Sequence, residues 1–486
     1  MTNANQDAAF DVVVLGAGPV GENVADRAVQ GGLSVALVEH ELVGGECSYW
    51  ACMPTKALLR DAAAVRAARA LPGAGRAVDA ELDVAAVLRR RDAFASDWTD
   101  TGQVKWLDQA GIVLFRGHGR IIGAGAVTVT ETDTDEPTLL LARHAVVVAT
   151  GTSARIPAIP GLAEAAPWTS RDAAAANHVP DRLAIIGGGV VGSELATAFR
   201  GLGAQVTLVS NTRLLPGVEP FASDQVTDAL RASGVTVEPD IDVVEVRRDA
   251  SGTVRVALGD GRCVTADEVV VATGRIPNTN DIGLDLIGGT PGDWLVVDDD
   301  LAVVDDDGEP IGGRWLYAAG DVNGRAMLTH HGKYQARALG DAIVARAHGD
   351  EPDLRAWGRH AATADERAVT QVIFTDPEVA TVGLSAKVAS ASGMATRIVD
   401  HDLGAVAGAA LHADGYRGRA RMVIDAERNT LIGFTAVGPD VAELLHAATI
   451  AIAGEVPLDR LWHAVPAFPT ISEIWLRLLE ADGRDH

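Results

Sequence analysis

An α/β fold built from two βαβ halves and a separate α+β C-terminal part is predicted by three observations. Apolar Val12 to Leu15 run into Gly16-Ala17-Gly18-Pro19-Val20-Gly21, a helical stretch, and a second apolar run, Val35 to Val38, that ends at Glu39. Far downstream the design recurs: Leu183 to Ile186, then Gly187-Gly188-Gly189-Val190-Val191-Gly192, a helical stretch, and Val206 to Val209. From about Trp357 onward no glycine fingerprint occurs. Strand-like Val369 to Phe374, Ala420 to Ile424 and Leu431 to Val437 precede helical Val441 to Ala453, a mixture that reads as α+β.

Each element has a physical reason. A short, continuous apolar run bounded by glycines suits a strand buried on both faces of a parallel sheet. The glycines let the turn be tight and let the backbone approach a pyrophosphate, whose charge meets the free N–H groups and dipole of the following helix. One such motif is weak evidence in a chain with 52 glycines. Two, each after a strand and each continued by a helix and another strand, point to two dinucleotide sites.

Composition narrows the partners. Lys+Arg 41 against Asp+Glu 66 gives a net charge of −25 at 48% hydrophobic residues, the balance of a well-cored, multi-domain protein with a solvated acidic surface. Without a basic cluster, nucleic acid and anionic membranes are not expected partners. The apolar runs are cut by Gly or Pro well short of a bilayer span, and Met1 to Asp7 is polar without a processing pattern; a cytoplasmic protein is expected. The acidic runs Asp298 to Asp300 and Asp305 to Asp307 read as solvated loops.

The chain has three cysteines, too few for a disulfide framework. Cys47 and Cys52 share the segment Gly44-Gly45-Glu46-Cys47-Ser48-Tyr49-Trp50-Ala51-Cys52-Met53-Pro54-Thr55-Lys56. In a reducing compartment such a pair is more often catalytic or metal-binding than structural. No further Cys or His stands at ligand spacing, so no metal site is expected. Cys263, just before the apolar Val269 to Val271, reads as an inert near-strand residue. Five residues of ideal helix rise about 7.5 Å, more than the roughly 4.4–6.8 Å that a disulfide tolerates between Cα atoms. A bridged pair therefore requires a distorted first turn and should be easy to reduce. Lys56, four residues after Cys52, shares its helix face, where an ammonium could lower the thiolate pKa or touch a cofactor.

With that segment the sequence resembles a family, the pyridine nucleotide-disulfide oxidoreductases with two dinucleotide sites, which include dihydrolipoamide dehydrogenase, glutathione reductase and mercuric reductase. The resemblance spans essentially the whole chain. It includes Ala149-Thr150-Gly151, Ala272-Thr273-Gly274-Arg275-Ile276-Pro277-Asn278, Tyr317-Ala318-Ala319-Gly320-Asp321, Phe374-Thr375-Asp376-Pro377-Glu378, and Pro469-Thr470 followed by Glu473.

The resemblance implies two Rossmann-like dinucleotide-binding domains plus a C-terminal α+β dimerisation domain, in a homodimer. A discontinuous FAD domain (1–155 and 280–350), an NAD(P) domain (156–279) and an interface domain (351–486) are expected. It further implies FAD with its pyrophosphate on Gly16, Gly18 and Gly21, its adenosine ribose at Glu39 and its ribityl or phosphate part at Asp321. Gly45, Thr150, Gly151, Gly274 and Arg275 join the cofactor-binding set. A helix beginning near Met327 to His330 would aim its N-terminus at the flavin and stabilise negative charge there; its backbone, rather than the His330 imidazole, is assigned. NAD(P)H would lie on Gly187, Gly189 and Gly192 and give hydride to one flavin face. Cys52 would be the charge-transfer thiolate on the other face, Cys47 the outer exchanging thiol, and Lys56 with Glu194 the family's lysine–glutamate pair near the flavin.

Four departures qualify this reading. The family members that act on dithiols carry a histidine before the C-terminal Pro-Thr, with a glutamate five residues after it, and the dimer partner's histidine serves as base for the outer thiol. Here Phe468 stands in that place and Glu473 is retained. A positioned base is worth roughly 10²- to 10⁴-fold, so efficient lipoamide or glutathione chemistry is not expected. His463, five residues upstream, is kept as a candidate substitute. Mercuric reductases also lack the histidine, yet they carry a C-terminal cysteine pair, absent from Ala481 to His486. Tyr49, Trp50 and Ala51 replace the usual small or polar residues between the thiols, which with Phe468 makes either an aromatic redox site for a flat acceptor or simple packing. Ser210, then Asn211, Thr212 and Arg213, replace the acid that NAD-using members place after the second strand, which leans toward NADPH, with Arg213 on its extra phosphate.

The expected enzyme passes hydride from NAD(P)H through flavin to a Cys47–Cys52 disulfide and on to a small-molecule acceptor, a disulfide or an aromatic. Two alternatives stay open: direct flavin reduction of quinones or other aromatics, and a low-turnover redox-sensing flavoprotein.

Overall fold

The computed structural model describes residues 8–79, 81–132 and 137–483. The readings made on Met1 to Asp7, and on Arg484 to His486 within the C-terminal tail, lie outside them. The chain divides into two compact units: Met1–Met53, Asp92–Ser153 and Arg275–Asp365 form the first, and Pro54–Arg91, Ala154–Gly274 and Glu366–His486 the second.

In the first unit, strand Ala8–Leu15 lies between the parallel strands Val35–Glu39 and Pro137–Val148, with Val12 opposite Val35 and Leu15 opposite Val38. Val113–Gly123, Ala126–Glu131 and Leu316–Ala318 complete a six-stranded sheet. Val12, Val13 and Val14 are wholly buried, as are Val146 to Val148, which is why these strands read as unbroken apolar runs. Helix Pro19–Gln30 follows the first fingerprint with Pro at its start and Gly18 as an N-cap without a side-chain bond, so its first N–H groups are open to a ligand. Helix Thr329–Ala347 packs along it. One sequence expectation is corrected here. Asp300 is not in a solvated loop: its side chain is 1% exposed and pairs with Arg314 and Arg346, because two arginines from later in the chain fold back over it.

The second unit repeats the βαβ design. Glu268–Val271, Arg182–Ile186, Gln205–Val209 and Thr236–Glu238 form a parallel sheet in that order, and helix Val190–Gly201 leaves the second fingerprint. A three-stranded antiparallel sheet, Val243–Arg248, Val254–Leu258 and Cys263–Ala266, stands beside it, with Cys263 exposed. The C-terminal strands form an antiparallel sheet ordered Thr370–Ile373, Glu378–Gly383, Thr430–Gly438, Arg419–Asp425 and Thr396–Asp402. Among the described residues no helix is long and apolar enough to cross a membrane.

Candidate active site

The first fingerprint closes on itself: a Cβ on Gly21 would run into the carbonyl oxygen of Gly16, so only glycine lets helix Pro19–Gln30 start where it does. Gly45 (φ +58°) meets the same turn, where a Cβ would stand 2.7 Å from Gly18 Cα. The backbone leading into the cysteine segment and the first glycine turn are therefore in close contact. Glu39 ends its strand buried, accepting hydrogen bonds from the N–H groups of Ala17 and Glu41, each at 2.8 Å. Burial pushes its carboxyl up, but bonds from His40, Glu41 and Ala17 outweigh this and hold it below the usual range.

The two cysteines sit on separate helices. Cys47 belongs to helix Gly45–Tyr49 and Cys52 opens helix Cys52–Arg69, with the chain breaking helical form at Trp50 and Ala51. The break brings the half-buried side chains together as free thiols. Hydrogen bonding to Cys52, then burial, push the Cys47 thiol well above its ordinary value, so the proton of the pair belongs on Cys47. Cys52 Sγ lies 3.4 Å from Thr329 Oγ1, the first residue of the 19-residue helix Thr329–Ala347. That terminus has no acidic residue in its first turn. A hydroxyl that can donate to sulfur and a helix N-terminus both favour a thiolate at Cys52.

A polar chain beginning next to Cys47 joins Arg275 and Asp321, both assigned from the sequence, to Glu46 and Thr152, which were not. Arg275 donates to Glu46 Oε2 at 2.7 Å and to Thr152 Oγ1 at 2.6 Å, and Thr152 Oγ1 donates to Asp321 Oδ2 at 3.0 Å. Burial raises the Asp321 carboxyl, and the Thr152 bond opposes it. Asn278 donates its backbone N–H to the Gly151 carbonyl at 3.0 Å. Thr150 Oγ1 and Glu46 Oε1 are buried without a hydrogen-bond partner among the described residues. Tyr49 corrects the aromatic-lining reading: it is fully buried, with its hydroxyl donating to the Val43 carbonyl at 2.9 Å, so it packs rather than faces an acceptor.

In the second unit, Gly187 has φ +118° and Gly189 caps helix Val190–Gly201 without a side-chain bond. Gly192 lies in that helix, and Gly274 has φ +119°. Lys56 Nζ donates to Glu194 Oε2 at 2.7 Å, the Phe374 N–H donates to Glu194 Oε1 at 2.9 Å, and the Phe374 ring lies 5.1 Å from the ammonium. Glu194 is 3% exposed, and its burial is matched by these two donors. Ser210 is buried; Arg213, half-exposed, donates to Ser223 Oγ at 3.1 Å and to the Pro220 carbonyl at 2.8 Å. Glu473 is buried and takes Arg477 on Oε1 at 2.6 Å, while Oε2 has no partner among the described residues. Phe468 is 75% exposed, and the His463 side chain also faces outward.

Comparison with known proteins follows the same lines. Residues 10–336 match the model described as pyridine nucleotide-disulphide oxidoreductase, and residues 369–478 match that family's dimerisation domain. A mercuric reductase from Acidithiobacillus ferrooxidans is 31% identical over 97% of this chain and 82% of that protein. A dihydrolipoyl dehydrogenase from Chlamydia trachomatis is 30% identical over 96% of this chain and 95% of that one. Among solved structures, the Cu(II) complex of the HOCl-induced flavoprotein disulfide reductase RclA from Escherichia coli superposes with a TM-score of 0.81 at 21% identity, over 97% of this chain and 99% of that one. LpdA from Mycobacterium tuberculosis gives 0.80 at 24% identity, with 97% and 99% covered. At those identities the two structures speak to the fold.

Proposed function

We propose, for a chain that belongs to the pyridine nucleotide-disulphide oxidoreductase family and is an NAD(P)H-dependent flavin disulfide oxidoreductase, that Cys52 is its resting thiolate and Cys47 its exchanging thiol. The observation that carries this is the Cys52–Thr329 contact at a helix N-terminus. The residues of the first unit fit FAD: a glycine turn closed against Gly45, open N–H groups at Gly18, and the orphaned buried oxygens of Thr150 and Glu46. Bound there, FAD supplies two-electron chemistry between a nicotinamide and a disulfide.

The chain's own residues bind, orient and hold protons. Gly16, Gly18 and Gly21 would take the pyrophosphate, Glu39 the ribose, and Asp321 with Thr150 and Gly151 the remainder. Arg275 ties the cysteine segment to Thr152, and through it to Asp321, so the outer thiol is held in place relative to the cofactor loop. Gly187, Gly189 and Gly192 would take the nicotinamide dinucleotide, and Lys56 is held by Glu194 and Phe374 rather than swinging free. The dimerisation domain supports a homodimer, and exposed Ile450, Val465 and Phe468 supply apolar surface for one.

Two tests arise here. Thr329→Val removes the hydroxyl donor at Cys52 and should raise the pH midpoint of the thiolate's long-wavelength absorbance by about one unit, since bonding to the charged form favours it. An unmoved midpoint means that the contact does not support the thiolate. For the coenzyme, NADPH is favoured because Ser210 stands where an acid would hold the ribose hydroxyls, with Arg213, which also pairs with Asp224 at 3.4 Å, close by in sequence. Arg213→Ala should lower kcat/KM for NADPH roughly tenfold, the worth of one charge-assisted bond, and leave NADH nearly unchanged. Equal losses would place the phosphate elsewhere.

Direct reduction of an aromatic acceptor remains the second reading, favoured by Phe468 in place of a base. Cys47→Ser with full acceptor turnover would select it.

A further inference from the structure

The Cys47 proton is held tightly, and the position that should carry a base is Phe468. A group of the same unit faces this thiol. Lys333 stands four residues after Thr329 in helix Thr329–Ala347, so the two share one helix face. Thr329 is the residue in contact with Cys52 at 3.4 Å, which directs that face toward the thiols. Lys333 is half-buried and makes no hydrogen bond or ion pair among the described residues. Helix Pro19–Gln30, which packs along the Lys333 helix, also touches the Cys47 helix, and it presents Glu22 and Asn23 to a cavity of about 310 Å³ completed by Gly102, Gln103 and Trp106. Gln103 reaches the Cys47 segment, since a Cβ on Gly44 would stand 3.3 Å from its Nε2 and 3.2 Å from Ser48 Oγ.

We propose that Lys333 is the fixed positive charge that stabilises the Cys47 thiolate, doing by electrostatics what the family's histidine does by proton transfer, with Glu22 as the counter-charge that limits it. This rests on the reading of Cys47 as the exchanging thiol. The groups facing the ammonium are Cys47 from helix Gly45–Tyr49 and Glu22 from helix Pro19–Gln30, with Glu39 behind Glu22 on its strand. The Lys333 charge favours Cys47 ionisation, and burial pushes the Glu22 carboxyl up to about 7. Glu22 is therefore partly neutral at neutral pH and leaves much of the Lys333 charge for the thiol.

The step balances as thiol exchange. Cys47 gives its proton to water, and its thiolate attacks one sulfur of an acceptor disulfide, forming a mixed disulfide as the acceptor S–S bond breaks and one thiolate leaves. The Cys52 thiolate then attacks the Cys47 sulfur and expels the second thiolate, so the dithiol loses two electrons and the acceptor gains them. No residue hands a proton to the leaving thiolates, which take theirs from water. The class of acceptor favoured is a disulfide whose thiols are acidic, such as an aromatic disulfide, over an alkyl one.

The test uses the FAD-loaded enzyme reduced anaerobically with one equivalent of NADPH. Alkylation of Cys47 by iodoacetamide, located by peptide mass, is followed from acid to alkaline pH beside the long-wavelength absorbance of Cys52. Lys333→Met should slow alkylation about tenfold at pH 7 and move its midpoint up by about one unit, a pKa unit being a factor of ten. Lys333→Arg should restore most of the rate, and Glu22→Gln should move the midpoint down. Absorbance should persist in all three. A wild-type profile in Lys333→Met, a Lys333→Arg as slow as Lys333→Met, or an upward shift in Glu22→Gln would overturn the proposal. Absorbance missing from the wild type would instead overturn the assignment of Cys52, while the alkylation profiles still report on Lys333.

Discussion

Replacing Cys52 by serine is expected to lower acceptor turnover by at least about 10³-fold while FAD stays bound. A serine hydroxyl remains protonated where the thiol is ionised, so neither the resting thiolate nor the second attack of disulfide exchange survives. The residues assigned to the cofactor, Gly16, Gly18, Gly21, Glu39 and Asp321, are at least 13 residues from Cys52 in the chain, and the substitution changes one atom of a side chain that is none of theirs. Absorbance spectra of the purified variant check retention of FAD and loss of the long-wavelength band. Turnover within a few-fold of the wild type would move the chemistry away from the cysteines.

Phe468→His should produce the second large effect, a gain on the order of 10²-fold with oxidised lipoamide, the lower end of what a positioned base contributes. Position 468 is 75% exposed, and Glu473 keeps a buried oxygen, Oε2, without a partner among the described residues, so a carboxylate with accepting capacity stands five residues after an imidazole placed there. NADPH reduction of the flavin should be unchanged, because that half-reaction does not use the outer thiol. The gain should fade below about pH 6.5, where an ordinary imidazole takes up its proton. A wild type that already uses lipoamide as fast as an aromatic disulfide, and slows on this substitution, would contradict it.

Much of the frame was legible because it depends on local pattern. Both fingerprints and their flanking strands appear where the glycines and the apolar runs put them, and three of the five C-terminal strands fall on the runs read as strands, whereas Glu378–Gly383 and Thr396–Asp402 were not read. Lys56 and Glu194, 138 residues apart, were paired through motif position and meet at 2.7 Å. What escaped is what long-range folding decides. Asp300 lies in an acidic run that looks solvated, and only Arg314 and Arg346 folding back explain its burial. Tyr49 looks like an acceptor platform until Val43 takes its hydroxyl. Thr152 lies outside the motifs read from the sequence, Glu46 and Thr329 fall within segments that were read but were given no role of their own, and Arg275 joins Glu46 and Thr152 from over a hundred residues away. The helix break at Trp50 and Ala51 answers the distortion that the spacing of the cysteines required of a bridged pair, since an unbroken helix cannot bring them together.

Cys47 and Cys52, as proposed, form a redox couple separate from the flavin. Anaerobic reductive titration of the FAD-loaded wild type measures this most directly. A second electron pair should be taken up per FAD, with long-wavelength absorbance rising during uptake of the first and two alkylatable thiols appearing at Cys47 and Cys52. Uptake of a single pair, with simple bleaching of the flavin and no change in thiol count, would contradict it.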